Sequence, residues 1–318
     1  MPAVMPGRRA LGRLGRLAAL GVVLAVCATL APSSSVKPTD MALIRLKQAR
    51  SVDTTPDVIW LLAVGSDARP GEDFTHTRGD ALHLIGIDSK TGAAADIGIP
   101  RDSWVDIPGV GNDKINASLY YGGPQLLGET VGNLIGIQPD YVFVTRFTYF
   151  QDAIKSIGGV DVDNPVAFSD SSLKPKGFPE GHLHLGPWDA LAFSRIRHIL
   201  LRGDFDRSAN QQRVIAAIQH KIHDNADKPG WIEQHLATAM ADLDTNASPS
   251  ELFRLARAVA AIQPSKITQC VLLGGIGDIG GASVVLPYTD MAQQMGNDAR
   301  DDASLSECPG DVSGSDDG

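Results

Sequence analysis

The chain has 318 residues, of which 43% are hydrophobic and 20% are charged, and its formal net charge is −9. This composition is typical of one globular domain with attached segments. Because affinity for nucleic acid depends on neutralising phosphates with many cationic side chains, the acidic balance excludes a general nucleic-acid binder but allows a local basic pocket.

The first 31 residues have the pattern of a membrane signal. Residues 1–16 contain four arginines and no acidic residue, and residues 17–31 form an uncharged run of 15 residues. Arginines before an apolar run predict that residues 1–16 stay in the cytoplasm and that the rest of the chain is exported. The run is shorter than the roughly 20 residues of a typical membrane span. We therefore predict a retained signal anchor at residues 17–31, with two alternatives: a signal peptide cleaved near Ala31, or a lipoprotein signal ending before Cys27.

The polar residues 32–57 are predicted to link this anchor to a folded domain at residues 58–296, with a short helix within residues 37–53. Apolar runs at residues 58–64, 81–87 and 95–99 are predicted to be buried β-strands. Charged residues lie at or beside an end of each run, where Asp67, Asp80 and Arg101 are examples. Such residues can simply be solvated, or they can lie at the sheet edge where α/β enzymes place their chemistry.

Further along the chain, the apolar pattern predicts more helices than strands. Helices are expected at residues 124–135, 147–157, 188–199, 207–223 and 250–262, and a strand at residues 141–145. Residues 162–186 contain three prolines and several glycines and are predicted to be irregular. The eight histidines are scattered, so that a residue such as His83 could be a loop or surface side chain.

The C-terminal residues 297–318 carry seven acidic residues and one arginine, and we predict a flexible acidic tail. Of the three cysteines, Cys270 and Cys308 lie on the predicted exported side, where a disulfide can form. Their pairing would attach the tail to the domain. The alternative is two unrelated thiols.

Five arginines lie between residues 195 and 213 of this acidic chain. Planar guanidinium groups bind phosphate oxygens bidentately, so this cluster favours a phosphate-bearing ligand. The alternative is a solvated helix face on which the arginines pair with Asp204 and Asp206. Arg207 and Gln211 are four residues apart, which places them on one face of a helix.

Six short motifs occur in a particular order, and each of them alone is weak. They are Asp67-Ala-Arg69, Arg78-Gly-Asp80, Pro100-Arg101-Asp102, Lys114-Ile-Asn116, Arg195-Ile-Arg197 and Asp204-Phe-Asp-Arg207-x-x-x-Gln211. In this order and spacing, over about half of the chain, the sequence resembles the LytR-CpsA-Psr family of cell-wall glycopolymer ligases. The resemblance implies an α/β fold with a mixed central β-sheet flanked by helices, an apolar cavity for a lipid tail, and an N-terminal membrane anchor.

The resemblance also implies an activity. The protein would be a single-pass protein of the cell membrane whose catalytic domain faces the cell wall. It would take a glycan from a polyprenyl-pyrophosphate carrier and join the glycan phosphate to the 6-hydroxyl of N-acetylmuramic acid in peptidoglycan, with Mg²⁺ as cofactor. The implied partners are the lipid-linked glycan, peptidoglycan and the membrane, and not nucleic acid.

Two other functions would use the same pocket, namely a non-catalytic, polyprenyl-phosphate-binding regulator of the envelope and a polyprenyl-pyrophosphate hydrolase. The composition, rich in Ala, Gly, Arg and Asp, suggests a high-GC organism such as an actinobacterium, for which arabinogalactan would be a reasonable donor glycan.

The resemblance assigns roles residue by residue. Asp67 and Asp80 match the family's metal-binding carboxylates, and Mg²⁺ commonly takes one or two carboxylates together with substrate phosphate. The side chains matched to the pyrophosphate are Arg78, Arg101, Arg195, Arg197, Arg207, Gln211 and Lys114. The candidates for catalysis are Arg101, Arg207 and Asp204. Asp204 could deprotonate the acceptor hydroxyl, or it could orient an arginine as its ion-pair partner.

Two further features bear on this site. Asp206 stands where the family often has a glycine, and its carboxylate could pair with Arg207 or help to hold metal. The lipid tail needs apolar side chains, for which the candidates are Phe143, Phe147, Phe150, Leu126, Leu134 and Ile154, although these residues could equally form ordinary core.

Overall fold

The structure is a computed structural model, and it describes residues 39–49, 58–197 and 199–308. The predicted signal anchor and most of the predicted linker lie outside these residues. Within the described part of the chain, no helix combines the length and the apolar character that crossing a membrane requires.

The described residues contain fifteen strands and seven α-helices. The strands are β1 Met41–Arg45, β2 Val58–Ser66, β3 Gly79–Asp88, β4 Ala94–Gly98, β5 Trp104–Ile107, β6 Gly111–Lys114, β7 Tyr141–Arg146, β8 Val160–Asn164, β9 Phe168–Asp170, β10 Lys174–Phe178, β11 Gly181–Leu185, β12 Leu243–Thr245, β13 Ile267–Val271, β14 Gly274–Ile279 and β15 Ala282–Pro287. The helices are α1 Ala117–Ile135, α2 Phe147–Ser156, α3 Pro187–Arg195, α4 Asp204–Ala226, α5 Trp231–Ala241, α6 Pro249–Ala260 and α7 Thr289–Ala299, with a short 3₁₀ turn at Pro264–Lys266.

A seven-stranded sheet lies at the centre of the domain, in the order β12-β1-β7-β2-β3-β4-β13. The sheet is mixed, because the pairs β1–β12, β2–β7 and β4–β13 are parallel and the other three pairs are antiparallel. The remaining strands form four two-stranded sheets, β5–β6, β8–β11, β9–β10 and β14–β15. The long β2 and β3 pair with each other and occupy the middle of the large sheet.

Both faces of the sheet are covered, and the side chains of β2 pack alternately on the two faces. Side chains alternate along a strand, so Trp60, Leu62 and Val64 face one way and Ile59 and Leu61 face the other. The first set packs in one core cluster with α1 and α7, and the second set packs in another with α6. A third cluster joins α2, α3 and α4 to the small strands β8–β10 and to the end of β11. The predicted mixed central sheet flanked by helices is confirmed.

Three local predictions were wrong. Within the predicted linker, residues 41–45 form β1 instead of part of a helix, because this apolar segment is paired on both sides, by β7 and β12. A short apolar run has no periodicity that separates a helix turn from a strand. Residues 162–186, predicted to be irregular, contribute to the four strands β8–β11, which form two small two-stranded sheets.

The C-terminal tail is the third segment that differs from its prediction. Helix α7 runs to Ala299, and Ala303 and Leu305 are buried against the main core, so residues 297–308 are not a flexible tail. A disulfide joins Cys270 on β13 to Cys308, with 5.4 Å between the Cα atoms. Apolar burial and a covalent bond therefore hold this segment in spite of its acidic composition. Residues 309–318 lie outside the described part.

Candidate functional site

Sheet register brings Asp80 to Arg101. Strands β3 and β4 are antiparallel with His83 opposite Gly98, and beyond this pair the Ile99 N–H donates to the Leu82 carbonyl at 2.9 Å. When this register is continued to the edge of the sheet, Asp80 lies opposite Arg101. The two side chains form an ion pair. Two residues that are 21 positions apart in the chain thus meet at one sheet edge because of strand pairing.

Helix α4 carries Arg207 and Gln211 to the same edge. A Cβ atom at Gly98 would lie 2.5 Å from Ser208 Oγ, so glycine is what lets the helix approach β4 this closely. Gln212 then fastens α4 to the sheet, because its Nε2 donates to the backbone carbonyls of Asp96 and Cys270 at 2.8 and 2.9 Å.

Asp102 lies at the centre of a group of cations. Its carboxylate is 3.1 Å from Lys114 Nζ, 3.5 Å from Arg197 Nη1 and 3.9 Å from Arg101 Nε. These cations come from three separate segments of the chain. Asp102 therefore holds these three cations together, which is a structural role.

Asp204, the first residue of α4, pairs with Arg207 one turn along the same helix, at 2.6 Å between Oδ1 and Nη2. Arg197 Nη1 approaches the same oxygen at 3.9 Å. Within the described residues, both carboxylate oxygens of Asp204 are buried and lack a hydrogen bond of good geometry. The Nε atom of Arg207 is also buried and also lacks such a hydrogen bond. The pair is thus held by charge and leaves hydrogen-bonding capacity unused.

Arg207 is the most buried cation of the site, at 5% exposure. Burial is the largest influence on its guanidinium and lowers its pKa to about 10, against the opposing attraction of Asp204. Repulsion from Arg101 and Arg197 lowers the pKa further. Arg207 is therefore charged at neutral pH but short of negative partners, so an added anion would be favoured here.

Four arginines of the site, among other residues, line a polar pocket of about 230 Å³. Its lining contains five of the predicted pyrophosphate ligands together with Asp80. The full lining is Asp80, Arg101, Asp170, Leu173, Ser194, Arg195, Ile196, Arg197, Arg207 and Gln211.

An apolar cavity of about 190 Å³ adjoins this pocket and shares Asp80, Ser194, Arg195 and Gln211 with it. It lies between the sheet and helices α2, α3 and α4. Small strand residues leave the space, and aromatic and aliphatic helix residues surround it. The other lining residues are Ala63, Val64, Gly65, Ala81, His83, Phe143, Thr145, Phe147, Phe150, Leu191, Val214, Ile215 and Ile218.

Arg195 stands at the junction of the two cavities, where its guanidinium lies over the Phe147 ring at 4.7 Å from the ring centroid. Of the six apolar candidates for the lipid tail, Phe143, Phe147 and Phe150 line the apolar cavity. Leu134 and Ile154 are instead buried in two different core clusters, and Leu126 is absent from the cavity lining.

Some predicted site residues lie outside the two cavities. Asp67 and Arg78 are exposed, and the Asp67 N–H donates to the Arg78 carbonyl at 3.3 Å, which places both beside Asp80 at the ends of β2 and β3. Lys114 reaches the pocket only through Asp102. Asp206 pairs with Arg202 at 2.8 Å, whereas the carboxylate paired with Arg207 is that of Asp204.

Among the side chains of residues 39–49, 58–197 and 199–308 that the structure describes, no group of three or more His, Cys, Asp or Glu could hold a metal ion by itself. Asp80 carries a carboxylate at the polar pocket, and Asp67 carries another at the adjacent strand end. These two carboxylates are of the chemical type and number that Mg²⁺ usually takes from a protein when phosphate supplies other ligands.

Sequence reasoning missed His83 and Asp96. The expectation of a surface histidine was wrong, since His83 is 1% exposed and Asp96 is 2% exposed. His83 Nδ1 lies 2.9 Å from Asp96 Oδ1, and His83 Nε2 lies 3.1 Å from Gln211 Oε1. The one available signal was the position of each polar residue inside a predicted buried strand, where a polar side chain needs a partner.

Known proteins are similar to this chain in sequence and in fold. The LytR_cpsA_psr family profile matches residues 30–301. The chain is 30% identical to a Bacillus cereus polyisoprenyl-teichoic acid–peptidoglycan teichoic acid transferase, TagU, over 76% of this chain and 79% of that protein. The crystal structure of B. subtilis TagV superposes with a TM-score of 0.66 at 26% identity, covering 78% of this chain and 99% of that one. A structure of TagT bound to LI-WTA superposes with a TM-score of 0.62, also at 26% identity, covering 79% and 96% of the two chains.

The family profile thus covers the strands, the helices and every residue of the two cavities. The motif-based resemblance is confirmed, and this chain belongs to the LytR_cpsA_psr family.

Proposed function

We propose that this protein is a phosphotransferase that moves a glycopolymer from a polyprenyl-pyrophosphate carrier to peptidoglycan. The observation that carries the proposal is the pair of joined cavities, one apolar and one lined by arginines. A polyprenyl pyrophosphate has the same two parts in the same order, an apolar chain followed by a multiply charged anion. The shared residues Arg195 and Gln211 lie at the junction, where the first phosphate of such a ligand would be.

The relatives support this assignment. The B. cereus protein is named for the transfer of teichoic acid from a polyisoprenyl carrier to peptidoglycan, and TagT has been seen bound to LI-WTA. For this chain we propose the same class of reaction, with the glycan left open.

The reaction is a displacement at phosphorus. The oxygen of the acceptor hydroxyl forms a bond to the phosphorus that carries the glycan, and the bond from that phosphorus to the bridging oxygen breaks. Polyprenyl phosphate leaves with the electron pair, and the hydroxyl proton is lost to a base. Because charge collects on the phosphoryl oxygens and on the leaving phosphate, catalysis depends on cations fixed in advance. Arg101, Arg195, Arg197 and Arg207 are the cations of the pocket.

The geometry favours an orienting role for Asp204. Its carboxylate is in contact with Arg207 and is approached by Arg197, so it holds the guanidinium that faces the pocket. A general base would need a lone pair directed at the acceptor hydroxyl. Asp204 Oδ1 is instead directed at the guanidinium groups of Arg207 and Arg197.

Mg²⁺ is part of the proposal, with Asp80 and Asp67 as the residues that would hold it. When bound, the ion would neutralise charge on the pyrophosphate. Asp80 is the stronger candidate because it lines both cavities, whereas Asp67 is exposed beside it.

We also propose that the domain is held at the outer face of the cell membrane by residues 17–31. The support is the charge pattern, since four arginines precede an uncharged run. A carrier lipid that stays in the bilayer would be reached most directly by an enzyme anchored in the same bilayer.

The test uses the full-length protein, a synthetic polyprenyl-pyrophosphate glycan, Mg²⁺ and a short peptidoglycan acceptor. Arg207→Ala is compared with Arg202→Ala, because both arginines belong to the same cluster but Arg202 pairs with Asp206 at the surface and lines neither cavity. We expect a phosphodiester-linked product that requires Mg²⁺ and Arg207 and is unaffected by loss of Arg202. Removing a charged contact made in the transition state should lower the rate by about 100-fold or more.

Three outcomes separate the candidate functions. A linked product that depends on Arg207 establishes the transferase. Release of glycan phosphate without linkage would identify a hydrolase instead. Binding of the lipid with neither product would identify a non-catalytic binder of the carrier.

A further inference from the structure

The buried histidine under the arginine pocket has a hydrogen-bond environment that assigns its protons. The amide of Gln211 is oriented by Ser194, because its Nε2 donates to the Ser194 carbonyl at 3.0 Å. The amide oxygen, Oε1, therefore faces His83 Nε2 at 3.1 Å. An amide oxygen can only accept, so the hydrogen at this contact belongs to His83.

The other ring nitrogen of His83 also donates. Its partner is the carboxylate of Asp96, at 2.9 Å from Nδ1, and a carboxylate oxygen accepts. Asp96 takes a further hydrogen bond from Gln269 Nε2, at 3.3 Å, which is typical of an ionised carboxylate. An imidazole that donates from both nitrogens carries two protons and a positive charge.

The surrounding charges agree with this assignment. Burial opposes the charged form of His83, and Arg207 on α4 repels it. Asp96 on β4 attracts it and accepts its hydrogen bond, and together with the hydrogen bond to Gln211 this outweighs the opposition, so the pKa of His83 is raised. Asp80 and Arg195 line the same apolar cavity as His83, and they are the other charged groups on that side.

We propose that His83 is a buried imidazolium ion that holds Gln211 as a hydrogen-bond donor toward the anionic ligand, and so acts as a positioning residue of the site. Gln211 lines both cavities, and its amide carries two N–H groups. Ser194 accepts one of them, and the second remains for a phosphate oxygen. The identity of the anion as a pyrophosphate rests on the proposed function.

The charge on His83 matters because it prevents the Gln211 amide from rotating so that its oxygen and nitrogen exchange positions. In the reversed orientation, the Gln211 nitrogen would face an N–H of His83 and its oxygen would face the Ser194 carbonyl, so both contacts would be repulsive. A neutral His83 with its remaining proton on Nδ1 would present a lone pair to Oε1 and would remove that constraint. The Gln211 amide would then be held by Ser194 alone, and this less firmly positioned donor would bind the phosphate more weakly.

The protonation state is tested directly by ¹⁵N NMR on full-length protein with labelled imidazole rings, between pH 6 and pH 9. The His83 signals are identified by their absence from the double variant His83→Met/Asp96→Leu. This variant replaces the buried ion pair with apolar side chains, an exchange that proteins often tolerate. We expect both His83 nitrogens to be protonated at pH 7.5, where ordinary histidines are mostly neutral. A neutral tautomer at that pH would overturn the proposal.

The positioning role is tested by equilibrium binding of geranylgeranyl pyrophosphate. The double variant should bind at least about tenfold more weakly, the scale of one hydrogen bond to a charged group. Its affinity should also lack the decline with rising pH that deprotonation of His83 imposes on the wild type. The matched control is His184→Gln, which removes an exposed histidine paired with Asp161 in the two-stranded β8–β11 sheet and should bind like the wild type.

The outcomes distinguish the two proposals. If the double variant binds with unchanged affinity and an unchanged pH profile, the role of His83 is refuted while the proposed function stands. If the wild type fails to bind the prenyl pyrophosphate, the proposed function is refuted, and the NMR result still decides the charge of His83. Should the double variant fail to fold, the single variant His83→Gln identifies the signals and serves in the binding assay.

Discussion

The ion pair between Asp204 and Arg207 allows the two readings of Asp204 to be separated by one substitution, Asp204→Asn. Arg207 is 5% exposed, and it would keep its charge while losing its closest counter-ion. Breaking a buried pair from one side costs about 3–5 kcal/mol, and the adjoining polar pocket admits water, so we expect about 3 kcal/mol. For a chain of this size, with an unfolding entropy of about 2 cal/mol/K per residue, this corresponds to a fall of roughly 5 °C in the unfolding midpoint.

Thermal unfolding is measured with and without inorganic pyrophosphate. The anion should replace the missing carboxylate beside Arg207, so it should raise the midpoint of Asp204→Asn by more than it raises that of the wild type. The matched control is Asp206→Asn, on the same helix. Its partner, Arg202, has an exposed side chain, and loss of such a surface pair costs at most about 1 kcal/mol.

Two results would refute this reasoning. The first is an unfolding midpoint of Asp204→Asn that matches the wild type. The second is equal stabilisation of both proteins by pyrophosphate. A normal midpoint combined with loss of turnover would instead show that Asp204 is the general base.

Four further predictions follow from the site and the fold. Asp80→Asn should raise the Mg²⁺ concentration needed for half-maximal transfer by about tenfold or more, read from a metal titration, because a carboxylate ligand becomes a neutral amide; an unchanged titration would exclude Asp80 as a ligand. Ile215→Asp, in the apolar cavity, should weaken binding of geranylgeranyl pyrophosphate by about tenfold or more and leave inorganic pyrophosphate unaffected; equal loss for both would show that the cavity does not hold the chain. Replacing Cys270 and Cys308 with serine opens a loop of sequence separation 38 and should lower the free energy of unfolding by about 2–4 kcal/mol in a denaturant titration; no loss would show that burial alone holds the C-terminal segment. Because the folded-state pKa of His83 is raised, its contribution to stability is full below the unfolded pKa of about 6.5 and is lost as pH rises through the folded value; a wild-type stability that rises over this range relative to His83→Met/Asp96→Leu would contradict the assignment.

The sequence by itself determined features that depend on neighbouring residues. The runs at residues 58–64, 81–87 and 95–99 became β2, β3 and β4 with ends shifted by one or two residues, since short apolar runs between turn residues are a local signal. The spacing of Arg207 and Gln211 likewise placed both on one helix face before any fold was known. The ordered motifs were sufficient to identify the family.

The tertiary structure alone decided which distant residues are partners. Segment 41–45 is a strand because β7 and β12 lie on either side of it, and nothing in its own five residues states this. His83 meets Gln211 across 128 positions, and Gln211 is aligned there by the packing of α4 on Gly98. The preference of a side chain for burial or charge is local, whereas its counter-ion, its hydrogen-bond partner and the cavity beside it come from chain segments brought together by the sheet. For this reason the arginines and their nearby partners Asp204 and Asp206 could be named from the sequence. The pairing of Arg101 with Asp80 and the histidine beneath the pocket could not.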